Sequence, residues 1–318
     1  MNVVCSDIRV SSATASVIGL NNEKPLVAPT TAYLMTPERC SGGCSFCSQS
    51  QKDDRLSRVV WPLYHIKDVI LALEKNKDKF INICVQTTRS KDYYSKVKEI
   101  SKNLIKTCGD SCNINISIDL FYQEINIREL IDLGVNRISL AIDCVSEKHF
   151  NENKNGDLNK KTDFIIKMGN MFPDRISTHI IVGLKESDKE IIDKFLLFIN
   201  NKVRCGLFAF TPLPGKKRGL SLQRYRIIQA CVYLIKKDLL SIDEIIFNED
   251  DTITGLKKER KSLLSYLRDG EFFRTSGCKG CNRPFYNEKV TELWYNFPRK
   301  PKEEEIEAAL NIIRSLFT

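Results

Sequence analysis

Three cysteines near the start of the chain have a spacing that could do chemistry. Cys40, Cys44 and Cys47 form the pattern C-x3-C-x2-C, and Phe46 stands just before the last of them. Three soft thiolates on one short loop suit an iron–sulfur cluster. A four-iron cluster held by three thiolates keeps one iron open, and an open iron can bind a substrate or a cofactor. We therefore predict a catalytic [4Fe–4S] cluster on this loop.

Two plainer interpretations of the loop stand beside this one. A structural zinc site usually draws two pairs of ligands, whereas this triplet has no fourth Cys or His close by in the sequence. Chance spacing is the other alternative, because the chain contains 12 cysteines. The bend offered by Gly42 and Gly43, with Phe46 in its place, favours the cluster over both.

The chain has 318 residues, 42% of them hydrophobic, which is enough for one large α/β domain or a domain with appendages. No apolar run approaches the ~20 residues of a membrane span, so we expect no membrane partner. The first residues lack the charged-then-apolar pattern of a signal peptide. We therefore expect a cytoplasmic location, where thiols stay reduced and many cysteines indicate metal binding.

The charge balance is moderately basic, with 49 Lys+Arg against 40 Asp+Glu and a net charge of +9. The lysines are spread along the chain, and no basic stripe with interleaved aromatic residues indicates nucleic-acid binding. We expect no nucleic-acid partner. A positive surface could instead attract an acidic protein or an acidic electron donor.

An alternation of short β-branched runs with helical patterns predicts the elements that must position the cysteine loop. The predicted strands are residues 33–35, 81–86, 114–118, 137–142, 176–182 and 205–210, and helices are predicted at 66–73, 127–133 and 188–200. Six such units imply a parallel sheet curled into an α/β partial (β/α)6 TIM-like barrel. The cysteine loop follows the first strand, and active sites of such barrels lie at that edge.

Two segments lie outside the repeat, so we divide the chain into an N-terminal extension (1–30), a core (31–240) and a C-terminal extension (241–318). The C-terminal extension carries Cys278 and Cys281 as C-x2-C, which is a metal knuckle that two thiolates cannot complete. Cys5 could supply a third ligand, and Ser276 or an exogenous group a fourth.

Several other cysteines have simpler interpretations. Cys108 and Cys112 are a more distant source of ligands, on the far face of the barrel. Those expected to be small buried apolar residues are Cys84, Cys144, Cys205 and Cys231.

The cysteine triplet with its aromatic residue resembles the signature of the radical S-adenosylmethionine (SAM) enzymes, and the order of the later motifs is similar to the biotin-synthase-related group. In such enzymes the open iron binds the amino and carboxylate groups of SAM. The reduced cluster then splits SAM into methionine and a 5′-deoxyadenosyl radical. The resemblance covers residues 30–220 or so and implies this chemistry here.

The resemblance also implies which residues bind SAM. The implied cofactor-binding residues are Phe46, Gln86, Thr87, Ser117, Asp119, Asp143, Ile181 and Leu213. Three departures stand out. The Gly-Gly-Glu-like turn after the second strand is absent, Ala141 replaces the Asn that pairs with the ribose-binding Asp143, and His179 replaces the first Gly of a G-x-I-x-G-x-x-E motif.

The C-terminal pattern T-S-G-C-x2-C-N-R-P-F-Y-N-E and residues 56–62 resemble biotin-synthase-related proteins that form two-component lipoyl synthases. Residues 274–276 (Arg-Thr-Ser) echo the Arg-Ser-Ser motif of lipoyl synthases, whose serine ligates a sulfur-donating cluster. The resemblance implies a second, auxiliary [4Fe–4S] cluster on Cys5, Cys278 and Cys281 with Ser276. The implied partners are an octanoylated lipoyl carrier domain, a second lipoyl synthase subunit, and flavodoxin or ferredoxin.

Other functions stay open at this point. The tail pair could be a zinc knuckle or an electron-relay cluster. The enzyme could be biotin-synthase-like or another radical SAM enzyme acting on a small molecule. A metal-stabilised binding protein without turnover is the alternative of another class.

Overall fold

The computed structural model describes residues 6–51, 53–119, 123–216 and 219–317. The strands are β1 (Asp7–Val10), β2 (Thr31–Met35), β3 (Arg55–Leu56), β4 (Val59–Val60), β5 (Leu63–His65), β6 (Asn82–Gln86), β7 (Asn113–Ile118), β8 (Arg137–Leu140), β9 (Ile176–Val182), β10 (Arg204–Ala209), β11 (Ile245–Phe247) and β12 (Ile253–Leu256). The helices are α1 (Ser12–Val17), α2 (Ile66–Lys75), α3 (Tyr93–Cys108), α4 (Glu124–Asp132), α5 (Phe150–Asn153), α6 (Leu158–Met171), α7 (Asp188–Asn200), α8 (Leu222–Lys236), α9 (Arg260–Leu267) and α10 (Glu303–Arg314).

The main sheet has the strand order β10-β9-β8-β7-β6-β2-β1-β5. Neighbours from β10 to β2 pair in parallel, and β1 and β5 extend the sheet antiparallel beyond β2. The sheet does not close on itself, so the predicted α/β fold with a partial TIM-like barrel is confirmed. The two antiparallel edge strands were not predicted.

Alternation along the barrel strands separates an apolar outer layer from a polar interior. Ile83 and Val85 of β6 are fully buried and belong to the core beneath the helices. Their neighbour Asn82 faces the other way, where its side-chain oxygen accepts a hydrogen bond from Asn115 Nδ2 of β7 at 3.1 Å. Burial of the apolar positions thus packs the sheet against its helices. The barrel interior carries polar side chains that can bind a ligand.

Helix α7 shows how local sequence fixes an element boundary. Glu190 donates its N–H to Ser187 Oγ at 3.1 Å, and the Ser187 N–H returns a bond to the Glu190 carboxylate at 2.8 Å. This capping box satisfies backbone donors at the helix start. The helix covers Asp188–Asn200, the range predicted from its cap and periodicity.

Residues 276–288 of the C-terminal extension, here called the side-wall segment, bridge the first and last strands of the barrel. Ser276 Oγ accepts the N–H of Leu207 in β10 at 2.8 Å, and Asn287 Nδ2 donates to the Ala209 carbonyl at 2.7 Å. On the other side the Arg283 N–H donates to the hydroxyl of Tyr33 in β2 at 2.9 Å. The segment therefore spans the barrel from β10 to β2, the two ends of its parallel part.

No helix in the described ranges combines the length and the apolar character needed to cross a bilayer.

Candidate active site

The three-cysteine loop follows β2 at the C-terminal edge of the barrel, where it was predicted to lie. Cys40, Cys44 and Cys47 are all half-buried and carry free thiols. The N–H groups of Gly42 and Arg89 point at Cys40 Sγ from 3.4 and 3.3 Å. N–H groups that point at a sulfur atom stabilise its thiolate form, so these two donors favour a thiolate at Cys40.

Without a metal, burial keeps the thiols of Cys44 and Cys47 protonated. Burial raises the pKa of Cys44 to about 12 and that of Cys47 to about 11. Bound iron reverses this effect, because a coordinating thiol is deprotonated. The described residues contain no group of three His, Cys, Asp or Glu side chains arranged around a single metal ion. A four-iron cluster needs a wider arrangement, since each cysteine binds its own iron, and the donor set fits that group.

A buried charge network lies beside the loop. Lys154 Nζ lies 2.7 Å from Asp143 Oδ2 and 2.9 Å from Asp119 Oδ1. His179 Nε2 faces the other oxygen of Asp143 at 2.7 Å, and Arg89 pairs with Asp119 at 3.0 Å. Residues from three separate connections and from strand β9 thus meet at one edge of the barrel, which is where a parallel α/β fold assembles its sites.

The network keeps Asp143 and Lys154 charged. Burial raises the pKa of Asp143, but Lys154 and His179 lower it more, so the net shift is well downward. Burial lowers the pKa of Lys154, but Asp143 and Asp119 outweigh it and the net shift is upward. Asp143 also has φ +62°, a left-handed conformation that is uncommon outside glycine and typical of functional sites.

Lys154 was missed by the sequence analysis. It follows the short helix α5 in no recognisable motif, and its side chain is only 3% exposed. Its ammonium group is close enough to Cys44 to lower the pKa of that thiol against the larger effect of burial. Lys154 therefore places a positive charge next to the cysteine loop.

The residues implied to bind SAM lie along the same edge. Gln86 ends β6 and donates to Cys84 Sγ at 3.1 Å, and Thr87 donates its N–H to the Ser117 carbonyl at 2.9 Å. Asp119 follows β7, Asp143 follows β8, and Ile181 lies near the end of β9. The structure brings these side chains to one edge, and their contacts with SAM stay predictions.

Phe46 and Leu213 both line a cleft of about 390 Å³ on this edge. The cleft is lined by charged as well as apolar groups, among them Arg55, Arg58 and Lys216. It joins the cysteine loop to the turn after β10 and offers a route to the loop from solvent.

The G-x-x-E part of the motif after β9 has a structural role. Glu186 is buried and accepts the N–H groups of Gly183 and Leu184 at 2.5 and 2.7 Å. Gly183 has φ +110°, and a Cβ on it would lie 3.0 Å from the Cβ of Phe210. Glycine and glutamate are therefore needed to turn the chain tightly at the rim.

Cys278 and Cys281 lie in the side-wall segment and turn toward the barrel. Cys281 Sγ is 3.0 Å from the hydroxyl of Tyr33. Cys84 packs against the same aromatic cluster as Cys281, so it has sulfur neighbours that the sequence analysis did not give it. Ser276 is bonded to the backbone of Leu207, and Cys5 lies outside the described residues.

Comparison with known proteins agrees with this geometry. Residues 34–198, a little over half of the chain, match the family model of the radical SAM superfamily. No curated protein matches the chain. An open parallel barrel with a three-cysteine loop on its C-terminal edge defines an iron–sulfur enzyme of this kind. The chain belongs to the radical SAM superfamily, whose cofactors are a [4Fe–4S] cluster and SAM.

Solved structures share the fold at low sequence identity. Methylornithine synthase (PylB) is 14% identical with a TM-score of 0.52, over 66% of this chain and 62% of that one. SuiB of Streptococcus suis bound to S-adenosylmethionine is 16% identical with a TM-score of 0.51, over 66% and 48%. The FeFe-hydrogenase maturase HydG from Carboxydothermus hydrogenoformans is 14% identical with a TM-score of 0.51, over 88% and 65%. The chain thus covers about half to two thirds of each of these proteins.

Proposed function

We propose that this radical SAM enzyme inserts sulfur at an unactivated carbon of an octanoyl chain attached to a lysine of a lipoyl carrier domain. The observation that carries the proposal is a second group of cysteines, Cys278 and Cys281, within the same barrel as the first. When bound, the first cluster with SAM supplies a radical that removes a hydrogen atom, and the auxiliary cluster supplies the sulfur.

The chain's own residues supply binding and shielding. The thiols of Cys40, Cys44 and Cys47 hold the first cluster at the rim, and Lys154 adds a fixed positive charge there. The side-wall segment, residues 276–288, covers the open side of the barrel. An enclosed interior keeps water and oxygen away from a reactive carbon.

The charge of the rim supports a protein substrate. Arg55, Arg58 and Lys216 line the cleft beside the cysteine loop, and the whole chain carries a net charge of +9. Lipoyl carrier domains are usually acidic, so complementary charge would guide the carrier to this edge. In the same proposal, a second subunit sulfurates the other carbon and flavodoxin or ferredoxin donates the electron.

A second candidate is a biotin-synthase-like reaction on a small molecule. The polar barrel interior favours it, because Asn82, Asn115 and His179 would bind a substrate with polar groups better than a plain alkyl chain.

Product analysis separates the two candidates. Anaerobically reconstituted protein with SAM and a reductant is offered an octanoyl-lysyl carrier or dethiobiotin, and mass spectrometry looks for one added sulfur. We expect sulfur on the carrier and none with Cys40→Ala, which cannot bind the first cluster. Sulfur on dethiobiotin alone would support the second candidate, and SAM cleavage without sulfur on either substrate would contradict both.

A further inference from the structure

We infer that Cys84, Cys278 and Cys281 together hold the second iron–sulfur cluster inside the barrel, with Arg283 as its counter-charge. The inference rests on the proposed function, because it gives the auxiliary cluster its ligands. It differs from the sequence prediction by taking the third thiolate from barrel strand β6.

Two of the three cysteines lie beside one tyrosine. Cys281 Sγ lies 3.0 Å from the Tyr33 hydroxyl, and Tyr33 of β2 is paired directly with Cys84 of β6. Paired strands are about 4.8 Å apart, so Cys84 and Cys281 flank the same ring. Cys278 stands in the same C-x2-C turn as Cys281.

The C-x2-C turn is pinned to the base of the barrel. The Cys281 N–H donates to the Cys278 carbonyl at 3.1 Å and closes the turn. Asn82 Nδ2, two residues before Cys84 in β6, donates to the Lys279 carbonyl at 3.1 Å. The Thr30 hydroxyl donates to the Gly280 carbonyl at 2.5 Å. The turn is thus held next to β6 before any metal binds, which is how a preorganised metal site is built.

Arg283 brings a positive charge to the three thiols. Its guanidinium group lies 4.1 Å from the centre of the Phe208 ring and 4.8 Å from that of Tyr286. No carboxylate within the described ranges forms an ion pair with it. Its φ of +38° is strained for a residue other than glycine. Three thiolates make a cluster anionic, so a guanidinium held by aromatic faces would balance its charge.

The chemistry of the donors favours a cluster over a single zinc ion. Zinc needs four close ligands in a tetrahedron, and the described residues offer no group of three His, Cys, Asp or Glu arranged around one ion. The Ser276 hydroxyl is already bonded to both the N–H and the carbonyl of Leu207. The three cysteines would therefore leave one iron without a protein thiolate.

Iron and sulfide analysis in a background without the first cluster tests the inference. The variant Cys40→Ala/Cys44→Ala/Cys47→Ala, reconstituted anaerobically, should keep about four irons and four sulfides per chain with a four-iron absorption spectrum. Adding Cys84→Ala should remove at least about nine tenths of that iron. Adding Cys231→Ala, a fully buried cysteine in α8, should remove none, and circular dichroism should show that all these variants are folded.

A second variant tests the counter-charge without removing a ligand. Arg283→Gln should keep the iron but shift the reduction potential of the second cluster downward, because loss of a nearby positive charge disfavours the added electron. An unchanged potential would overturn the role of Arg283.

Other outcomes overturn the cysteine assignment. Full iron after Cys84→Ala, loss of iron on Cys5→Ala but not on Cys84→Ala, or zinc without sulfide would each do so. The result is separable from the proposed function. Iron could be lost only with Cys84→Ala while no substrate gains sulfur. That outcome would support the cysteine assignment and contradict the proposed reaction.

Discussion

Lys154 is the residue whose position the protein could least easily change. Its ammonium group lies between the carboxylates of Asp143 and Asp119, and its side chain is 3% exposed. Removing one partner of a buried ion pair leaves an uncompensated charge, which costs far more than losing a surface pair. The charge beside the cysteine loop is therefore also a structural requirement.

We predict that Lys154→Met destabilises the fold by about 3 to 5 kcal/mol. Methionine keeps most of the length but leaves Asp143 without its buried cation. Lys160→Met is the matched control, because the Lys160 side chain is 85% exposed, and its effect should stay within about 0.5 kcal/mol. Urea unfolding of the metal-free proteins measures both, and a loss below about 1 kcal/mol for Lys154→Met would show that the network is solvated.

At the residue scale the sequence predicts what is local. The predicted cluster ligands Cys40, Cys44 and Cys47 follow from spacing alone, because they lie within eight consecutive residues of the chain. Lys154 and Cys84 could not be found this way. Each meets its partners only through the fold, and a single lysine or cysteine with no motif around it carries no local signal.

The elements of the barrel were the most predictable part of the structure. The alternation of short β-branched or apolar runs with helical patterns gave all six parallel strands, because one face of each strand is buried beneath the helices. Strands β1 and β5 were missed, since both are short and they pair with each other across a long stretch of chain. The side-wall segment, residues 276–288, was missed as an element because it is neither helix nor strand.

We predict that Gly206→Val displaces the side-wall segment. A Cβ at Gly206 would lie 3.3 Å from the Cα of Gly277 and 3.4 Å from the Ser276 carbonyl oxygen, so a larger side chain pushes the segment away from β10. Overpacking of this kind costs about 1 to 3 kcal/mol. Limited proteolysis should cut the C-terminal extension faster in the variant.

Gly219→Val is the control for that experiment. Gly219 is exposed, and a Cβ there would meet nothing within 4 Å. Its proteolysis should match that of the unchanged protein. Equal resistance of Gly206→Val would mean that the segment is held elsewhere.

At the scale of the whole molecule, charge is the property that would select partners. A net charge of +9 attracts acidic proteins over roughly 10 Å at moderate salt. We predict that KM for an acidic octanoyl carrier rises about tenfold between roughly 50 and 300 mM salt.

A short octanoyl-lysyl peptide without acidic residues is the control substrate, and its KM should change less than about twofold. Steady-state kinetics with both substrates measures the difference. Equal salt dependence would show that the basic surface does not recognise the carrier.

The position of the side-wall segment in the sequence determines when it can pack on the barrel. Every barrel strand leaves the ribosome before residues 276–288 do. A nascent chain can therefore form the parallel sheet before the side-wall segment packs against it. Cys84 belongs to strand β6, whereas Cys278 and Cys281 belong to the side-wall segment, which is synthesised later. In the site that we propose, the three cysteines come together only after residues 276–288 have been made, so loading of the second cluster would be a late step in the maturation of this protein.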